Sequence, residues 1–443
     1  MLALEAEGFV LRGKFHPGAS EIEWCDRRLL ARIHRLTLNR LRAEIQPVTI
    51  ADFQRFLLSW QRVALEDRAE GREGVLAVLE TLDGLELAAG AWEPEVLARR
   101  VKDYDPRWLD QLCFTGRIGW GRLTQPQNSH GRMLAPIRSS PIALFLRDHT
   151  ADWLALVPPK GAPVLSPDAA HILQMFAQGG ALFFGELLKP RSLLPSRVEQ
   201  ALAELATQGW VTADSFEGLR ALLLPQEKRV PFADSARKRR HKAVSSVEFA
   251  GRWSLLRDPN TVSALPGDAQ VGHDAHSATG PGRDEAVETF ARVLLRRYGM
   301  VFRAMLGRES LKVSWYELGR VYRRLESRGE IRGGHFVSGV GGEQFALPEA
   351  IGLLRSIRKT APNGQTVTIS GADPLNLTGI LTPGRRVAST TANRVLLRAG
   401  VPVAALEAGE VENLEDGTAT PGHSLDRALR IGSMQAALRH YYG

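Results

Sequence analysis

Apolar and polar positions along this chain follow a helical period in some stretches and a strand period in others, and one junction between the two recurs. Leu4 is followed four residues later by Gly8 and then by Phe9-Val10, with Gly13 and Phe15 beyond. The same order returns at Leu325, Gly329, Ile331, Gly334 and Phe336, and at Leu205, Gly209, Val211 and Phe216. A weaker copy runs through Leu112, Gly116 and Ile118. An amphipathic stretch with a glycine four residues after its leucine and β-forming residues next predicts a helix stopped by a left-handed glycine and feeding straight into a strand. Helix, glycine, strand and glycine-turned strand form the closing half of a winged-helix unit, in which the last helix can enter a groove and the hairpin is the wing. One copy would fit any α+β corner. Four copies, each preceded by suitable helices, favour winged helices in tandem.

The clearest unit spans 284–348. Val287, Phe290, Ala291, Leu294 and Leu295 mark a helix over 283–298, a short helix is expected near 300–308, and Leu318, Val321, Tyr322 and Leu325 share one face of a helix within 311–328. Strands are expected at 335–337 and 344–347. A second unit starts at Ser166-Pro167, an N-cap with proline at the first helical position, and ends near 226. A third unit, 47–135, is less regular. Residues 1–46 read as the wing end of another winged helix plus a connecting helix, as if cut from something longer with Met1 an artificial or secondary start. Residues 227–283 read as a linker, first basic and then rich in Gly, Pro, Ser and Ala. Strand patterns return at 366–370, 394–398, 402–407 and 411–414, giving a small β-barrel or β-sheet module over 349–415. Strand-like stretches at 137–146 and 153–157, within 136–165, are expected to join it. A helix over 424–442, within 416–443, closes an α+β multidomain chain.

Length and charge narrow the function. The chain has 443 residues, 44% hydrophobic and 24% charged, enough for two or three packed units. Its 57 Lys+Arg against 49 Asp+Glu leave a net +8, which favours a polyanionic partner, nucleic acid ahead of a membrane surface. Cys25 and Cys113 are too few for a disulfide framework or a cysteine zinc site. No apolar run reaches the roughly 18–20 residues that span a bilayer, so a cytoplasmic, nucleoid-associated protein is expected.

The candidate chemistry is mostly basic. Lys312, Arg320, Arg323, Arg324 and Arg328 crowd the helix within 311–328, with Trp315 and Tyr316 as stacking surfaces near its start. Arg237, Lys238, Arg239, Arg240 and Lys242, around His241, suit phosphate contacts that carry no sequence information. Gly8 to Phe15 approaches a phosphate-loop pattern, but Phe15 stands where the magnesium-binding hydroxyl is required, so no ATP site is expected. His273 and His276 have no further ligands nearby, and no metal site is expected. Catalytic motifs are absent apart from Asp373, a carboxylate at a strand exit that could act as a general base or could simply make an Asp-Pro turn.

The chain resembles a family through Glu23-Trp24-Cys25-Asp26 followed by Arg27–Arg42, Phe53–Trp60, Ala91-Trp92-Glu93-Pro94, Gly251-Arg252-Trp253-Ser254, Arg297-Tyr298-Gly299 and Gly341-Gly342-x-Gln344-Phe345-Ala346-Leu347-Pro348. In this order they look like the C-terminal region of Lhr, the large helicase-related proteins. The resemblance implies tandem winged helices with a β-barrel, similar in architecture to AlkZ-type DNA glycosylases. It also implies DNA as partner, single-stranded or a repair intermediate, and a homo-oligomer such as a tetramer. Motor domains of the same protein would use ATP and Mg2+, and this chain would carry no cofactor. Trp92 would correspond to a stacking tryptophan of the family. Gln125 and Gln127 flank a proline and do not match the AlkZ glutamine pair. The expected function is a DNA-binding and assembly module of a repair helicase without sequence preference. The alternative is a uracil-type DNA glycosylase with Asp373 as its catalytic residue.

Overall fold

The computed structural model describes residues 1–16, 18–43, 45–126, 137–157, 164–189, 193–224, 247–259, 281–362, 364–382, 384–414, 423–430 and 434–442. The four leucine–glycine junctions are helix ends of one construction. Helices Leu2–Ala6, Pro106–Phe114, Pro195–Gln208 and Trp315–Ser327 run into Gly8, Gly116, Gly209 and Gly329, whose φ angles lie between 73° and 80°. In each copy the amide after the glycine donates to the leucine carbonyl: Phe9 to Leu4 at 2.9 Å, Arg117 to Leu112 at 3.1 Å, Trp210 to Leu205 at 2.9 Å and Glu330 to Leu325 at 3.0 Å. These bonds satisfy carbonyls that a helix end leaves bare, and the left-handed turn they require favours a residue without a side chain.

A strand follows each junction, and three of the four complete the same small antiparallel sheet. The first unit places Pro141–Leu146 between Glu86–Ala88 and Ile118–Gly121. The second places Arg252–Leu255 between Leu182–Phe183 and Val211–Ala213. The third places Gln344–Ala346 between Met300–Phe302 and Arg332–Gly334. In every unit the strand returning from the wing is the central one. At the amino end the hairpin of Val10–Gly13 with Glu23–Asp26 leads into a linking helix, Arg27–Ala43.

This topology revises several boundaries. Arg252–Leu255 completes the second unit, so that unit runs past 226 to 255, and the stretches 227–246 and 260–280 of the expected linker lie outside the described residues. Trp253 pins the strand by packing against Trp120, with ring centroids 5.9 Å apart. Its four residues, Arg-Trp-Ser-Leu, are too short and mixed to announce a strand. Arg237, Lys238, Arg239, Arg240 and Lys242 lie outside the described residues, as do His273, His276 and Gln127. The stretch 300–308 is a strand, Met300–Phe302, followed by a 3-10 turn, because Val301 pairs with Phe345. Residues 335–337 lie beyond the strand Arg332–Gly334, and Val337 bridges to Val48 instead. The strand Pro141–Leu146 closes the first unit and does not join the β module. Residues 153–157 are not a strand: Trp153 lies on the helix Thr150–Ala155, fully buried, with its indole N–H donating to Asp83.

The β module itself is a four-stranded antiparallel meander of Thr366–Ser370, Arg394–Arg398, Val401–Glu407 and Glu410–Asn413. Its first and last strands do not pair with each other, so among the described residues it is an open sheet and not a barrel. Helix His423–Arg430 covers one face through Leu429, and a separate helix, Ala436–Tyr442, packs elsewhere, so the expected single closing helix is two. One apolar core joins the third unit and the β module to the helix Ile50–Trp60 and to Leu123, Ala143 and Phe145 of the first unit, and a second joins the rest of the first unit and the second unit to the final helix. No described helix is long and apolar enough to cross a membrane.

Candidate nucleic-acid interface

The third helix of a winged helix is the one that can enter a groove, and the three units present theirs differently. In the third unit, Ser314 caps Trp315–Ser327 in a reciprocal pair with Glu317, and Leu318, Val321, Tyr322 and Leu325 fill the core. The opposite face carries Tyr316, Arg320, Arg323 and Ser327, at i, i+4, i+7 and i+11. Tyr316 is 73% exposed, whereas Trp315 packs against Tyr322 and Phe345 and belongs to the core. Arg320 is exposed with no ion pair among the described residues. Arg323 is held by Glu343 of the wing at 2.7 Å, Arg324 pairs with Glu288, and Arg328 stands 3.7 Å from Glu330. Lys312 is exposed and donates to the Glu309 carbonyl. Glu288 is held below the usual carboxylate range, chiefly by its hydrogen bond from Arg292. The expected basic face is thus real in position but partly neutralised by carboxylates of its own unit.

The linking helix is the strongest basic element that sequence reasoning did not single out. Arg27–Ala43 holds six arginines and no carboxylate. Arg28, Arg32 and Arg35 repeat at i, i+4 and i+7 on one exposed face. Its far end docks on the third unit, where Arg42 donates to Glu326 at 3.0 and 2.6 Å and Glu326 also accepts the Gly333 amide at 3.0 Å. The signal is legible in the sequence: an arginine-rich helix with no acidic residue to offset it.

The other two third helices offer no such surface. Pro195–Gln208 holds one arginine, tied to Asp168 at 2.6 Å, against Glu199 and Glu204. Pro106–Phe114 turns Asp110 into a buried network at the junction with the second unit. There Arg220, 1% exposed, donates to Glu93 at 2.8 and 3.0 Å and to Asp110 at 3.1 Å. The Tyr104 and Tyr442 hydroxyls donate to the same Glu93 carboxylate at 2.8 and 2.6 Å. Burial, reinforced by Glu93, pushes both phenols well above their ordinary range and keeps them as donors. A fully buried carboxylate is tolerated here because one guanidinium and two hydroxyls satisfy it.

Two nominated residues have structural places. Trp92 is completely buried, and its indole N–H donates to the Ile142 carbonyl at 2.8 Å, so it offers no face for a base to stack on. Asp373 is 0% exposed and accepts from Arg100 at 2.7 and 2.9 Å, while the Leu375 amide donates to it at 2.9 Å. Arg100 also donates to Gln61, and Arg308 donates to the Ala372 and Asp373 carbonyls. Asp373 therefore clasps the β module to the first unit, with both oxygens taken, and is not placed to act as a base on a substrate.

Three copies of one sheet topology, with the amino-terminal hairpin as a fourth partial copy, define a tandem winged-helix protein. Residues 48–145 and 281–366 each match a winged-helix domain of the large helicase-related protein, so the chain carries Lhr winged helices and corresponds to the C-terminal part of such proteins. It is 30% identical over 384 residues to the Lhr helicase/probable uracil glycosylase of Mycolicibacterium smegmatis, covering 84% of this chain and 24% of that protein. It is 28% identical over 396 residues to the Lhr helicase/uracil glycosylase of Escherichia coli, covering 81% of this chain and 24% of that protein. The chain therefore spans about a quarter of the length of these relatives. Among solved structures, the Streptomyces sahachiroi DNA glycosylase AlkZ is similar with a TM-score of 0.44 and 16% identity, over 86% of this chain and 95% of that one.

Proposed function

We propose that this chain is a DNA-binding module of a repair protein of the Lhr type and that it grips the phosphate backbone without reading sequence. The observation that carries the reading is the arginine face of the linking helix, docked by Arg42 onto the one unit whose third helix is basic and exposed. Arg28, Arg32, Arg35 and Arg320 supply guanidinium groups that have no ion pair among the described residues, and Tyr316 supplies a ring for an unstacked base. The first and second units serve as a scaffold, since the third helix of one faces its neighbour and that of the other carries more acidic than basic residues. Affinity for single-stranded and duplex DNA falls steeply with salt. The joint variant Arg28→Ala, Arg32→Ala, Arg35→Ala and Arg320→Ala lowers affinity at least about tenfold and flattens the salt dependence by roughly 0.7–0.9 for each phosphate left without its guanidinium. Binding that is insensitive to salt and to these four changes would refute the reading. Self-association, expected for such a module, is read from the mass of the same samples in light scattering.

A glycosylase activity is the second reading, favoured by the names of the two relatives. Incubation with uracil-containing oligonucleotides yields abasic sites if it holds. The catalytic group is then one other than Asp373, whose replacement acts through folding.

A further inference from the structure

A cavity of about 530 Å³ lies between the first unit and the β module, and none of the residues of the basic face lines it. One wall carries Arg68 and Arg99, and the facing wall is the start of the edge strand, Gln365, Thr366 and Thr368. The arginines are brought together by a short parallel ladder: Arg68 precedes the strand Ala69–Glu70, and Arg99 lies just before Val101–Lys102, with Ala69 opposite Val101. The next residue, Arg100, gives its two terminal nitrogens to Asp373 and Gln61, so that carboxylate is already taken. Glu95, the carboxylate within reach of Arg99's field, is ion-paired to Arg394 at 2.7 Å. The Nε of Arg68 is buried without a hydrogen-bond partner. Burial and the adjacent Arg99 charge both push the Arg68 guanidinium below its ordinary range. Two like charges held side by side, one of them partly desolvated and without an ion pair among the described residues, are unfavourable unless an anion completes the site.

We propose that this cavity is a phosphate-binding site, with Arg68 and Arg99 as paired donors and the Thr366 hydroxyl as a further contact. A planar guanidinium fork matches phosphate oxygens, and two forks suit a dianion better than a single carboxylate. The volume leaves room for a sugar attached to the phosphate. The phosphate could be that of a DNA strand, in which case the site rests on the DNA-binding reading, or a small free phosphate, in which case it stands apart from it.

The test uses the whole chain and three probes in calorimetric titration: inorganic phosphate, a 5′-phosphorylated single-stranded oligonucleotide and its 5′-hydroxyl counterpart. Arg68→Ala and Arg99→Ala are expected to weaken phosphate-dependent binding about tenfold or more. In phosphate-free buffer, Arg68→Ala melts no lower than the parent, because a repulsion has been removed, and it loses the rise in Tm that phosphate gives the parent. A preference for the phosphorylated oligonucleotide that Arg68→Ala abolishes assigns the site to a strand end. Equal weakening of both oligonucleotides assigns it to an internal phosphodiester. Loss of inorganic phosphate binding alone assigns it to a free anion. Unchanged affinity for all three probes in both variants overturns the proposal, and loss of strand binding in Arg320→Ala alone would leave the DNA reading standing without it.

Discussion

The third helices of the first and third units end in the same way and are used in opposite ways. Both stop at a left-handed glycine, both feed an outer strand of a three-stranded sheet, and both bury one leucine-lined face. The first unit's helix gives Asp110 to a network in which Arg220 and Glu93 are sealed from solvent. The third unit's helix leaves Arg320 and Tyr316 in water and holds Arg323 and Arg324 in surface ion pairs, which are worth little and are easily exchanged. The same fold thus supplies an internal joint in one place and an open basic face in another. What distinguishes them is what packs against the helix, not how the helix is made.

The two helices differ most in what the loss of one charge costs. Glu93→Ala leaves Arg220 buried and unpaired together with two phenol donors, and it is expected to cost about 3–5 kcal/mol of stability in denaturant unfolding. Arg323→Ala, on the open face, should cost less than about 1 kcal/mol. Equal losses would mean that the two helices are not used differently. Asp373→Asn belongs with the first kind, since it weakens the clasp on Arg100 in the same buried setting, and its loss is expected in unfolding rather than in chemistry.

The open face can be sharpened instead of broken. Glu288→Gln with Glu343→Gln releases Arg324 and Arg323 from their partners, and DNA affinity should rise a few-fold with a steeper salt dependence. An unchanged salt slope would show that these arginines do not reach the backbone.

The smallest effect concerns His149, whose Nδ1 lies 2.6 Å from the buried Asp83 carboxylate near the contact between the two cores. The hydrogen bond with Asp83 raises its pKa above the ordinary 6.5. A raised histidine contributes stability that is complete below the unfolded value and is lost as pH rises through the folded value. The parent should therefore lose up to about 1 kcal/mol relative to His149→Gln between pH 6 and pH 8, read from paired melting curves.

The sequence by itself determined the repeated unit. Leucine, glycine four residues on and β-formers after it leave the backbone few alternatives, because only a left-handed turn closes that helix end, and all four copies took it. The basic character of the helix around Arg320 was equally local and equally readable. Tertiary structure alone decided the rest, because it depended on partners distant in sequence. The strand Arg252–Leu255 exists because Leu182–Phe183 and Val211–Ala213 flank it, and the β module stays open because its end strands never meet. Trp92 and Asp373 looked like functional residues while their surroundings were unknown. Complete burial with the indole bonded to the Ile142 carbonyl, and a guanidinium 273 positions away in the chain, made them structural. A side chain's type is written in the sequence, but whether it faces solvent or a counter-charge is settled only when separate segments pack.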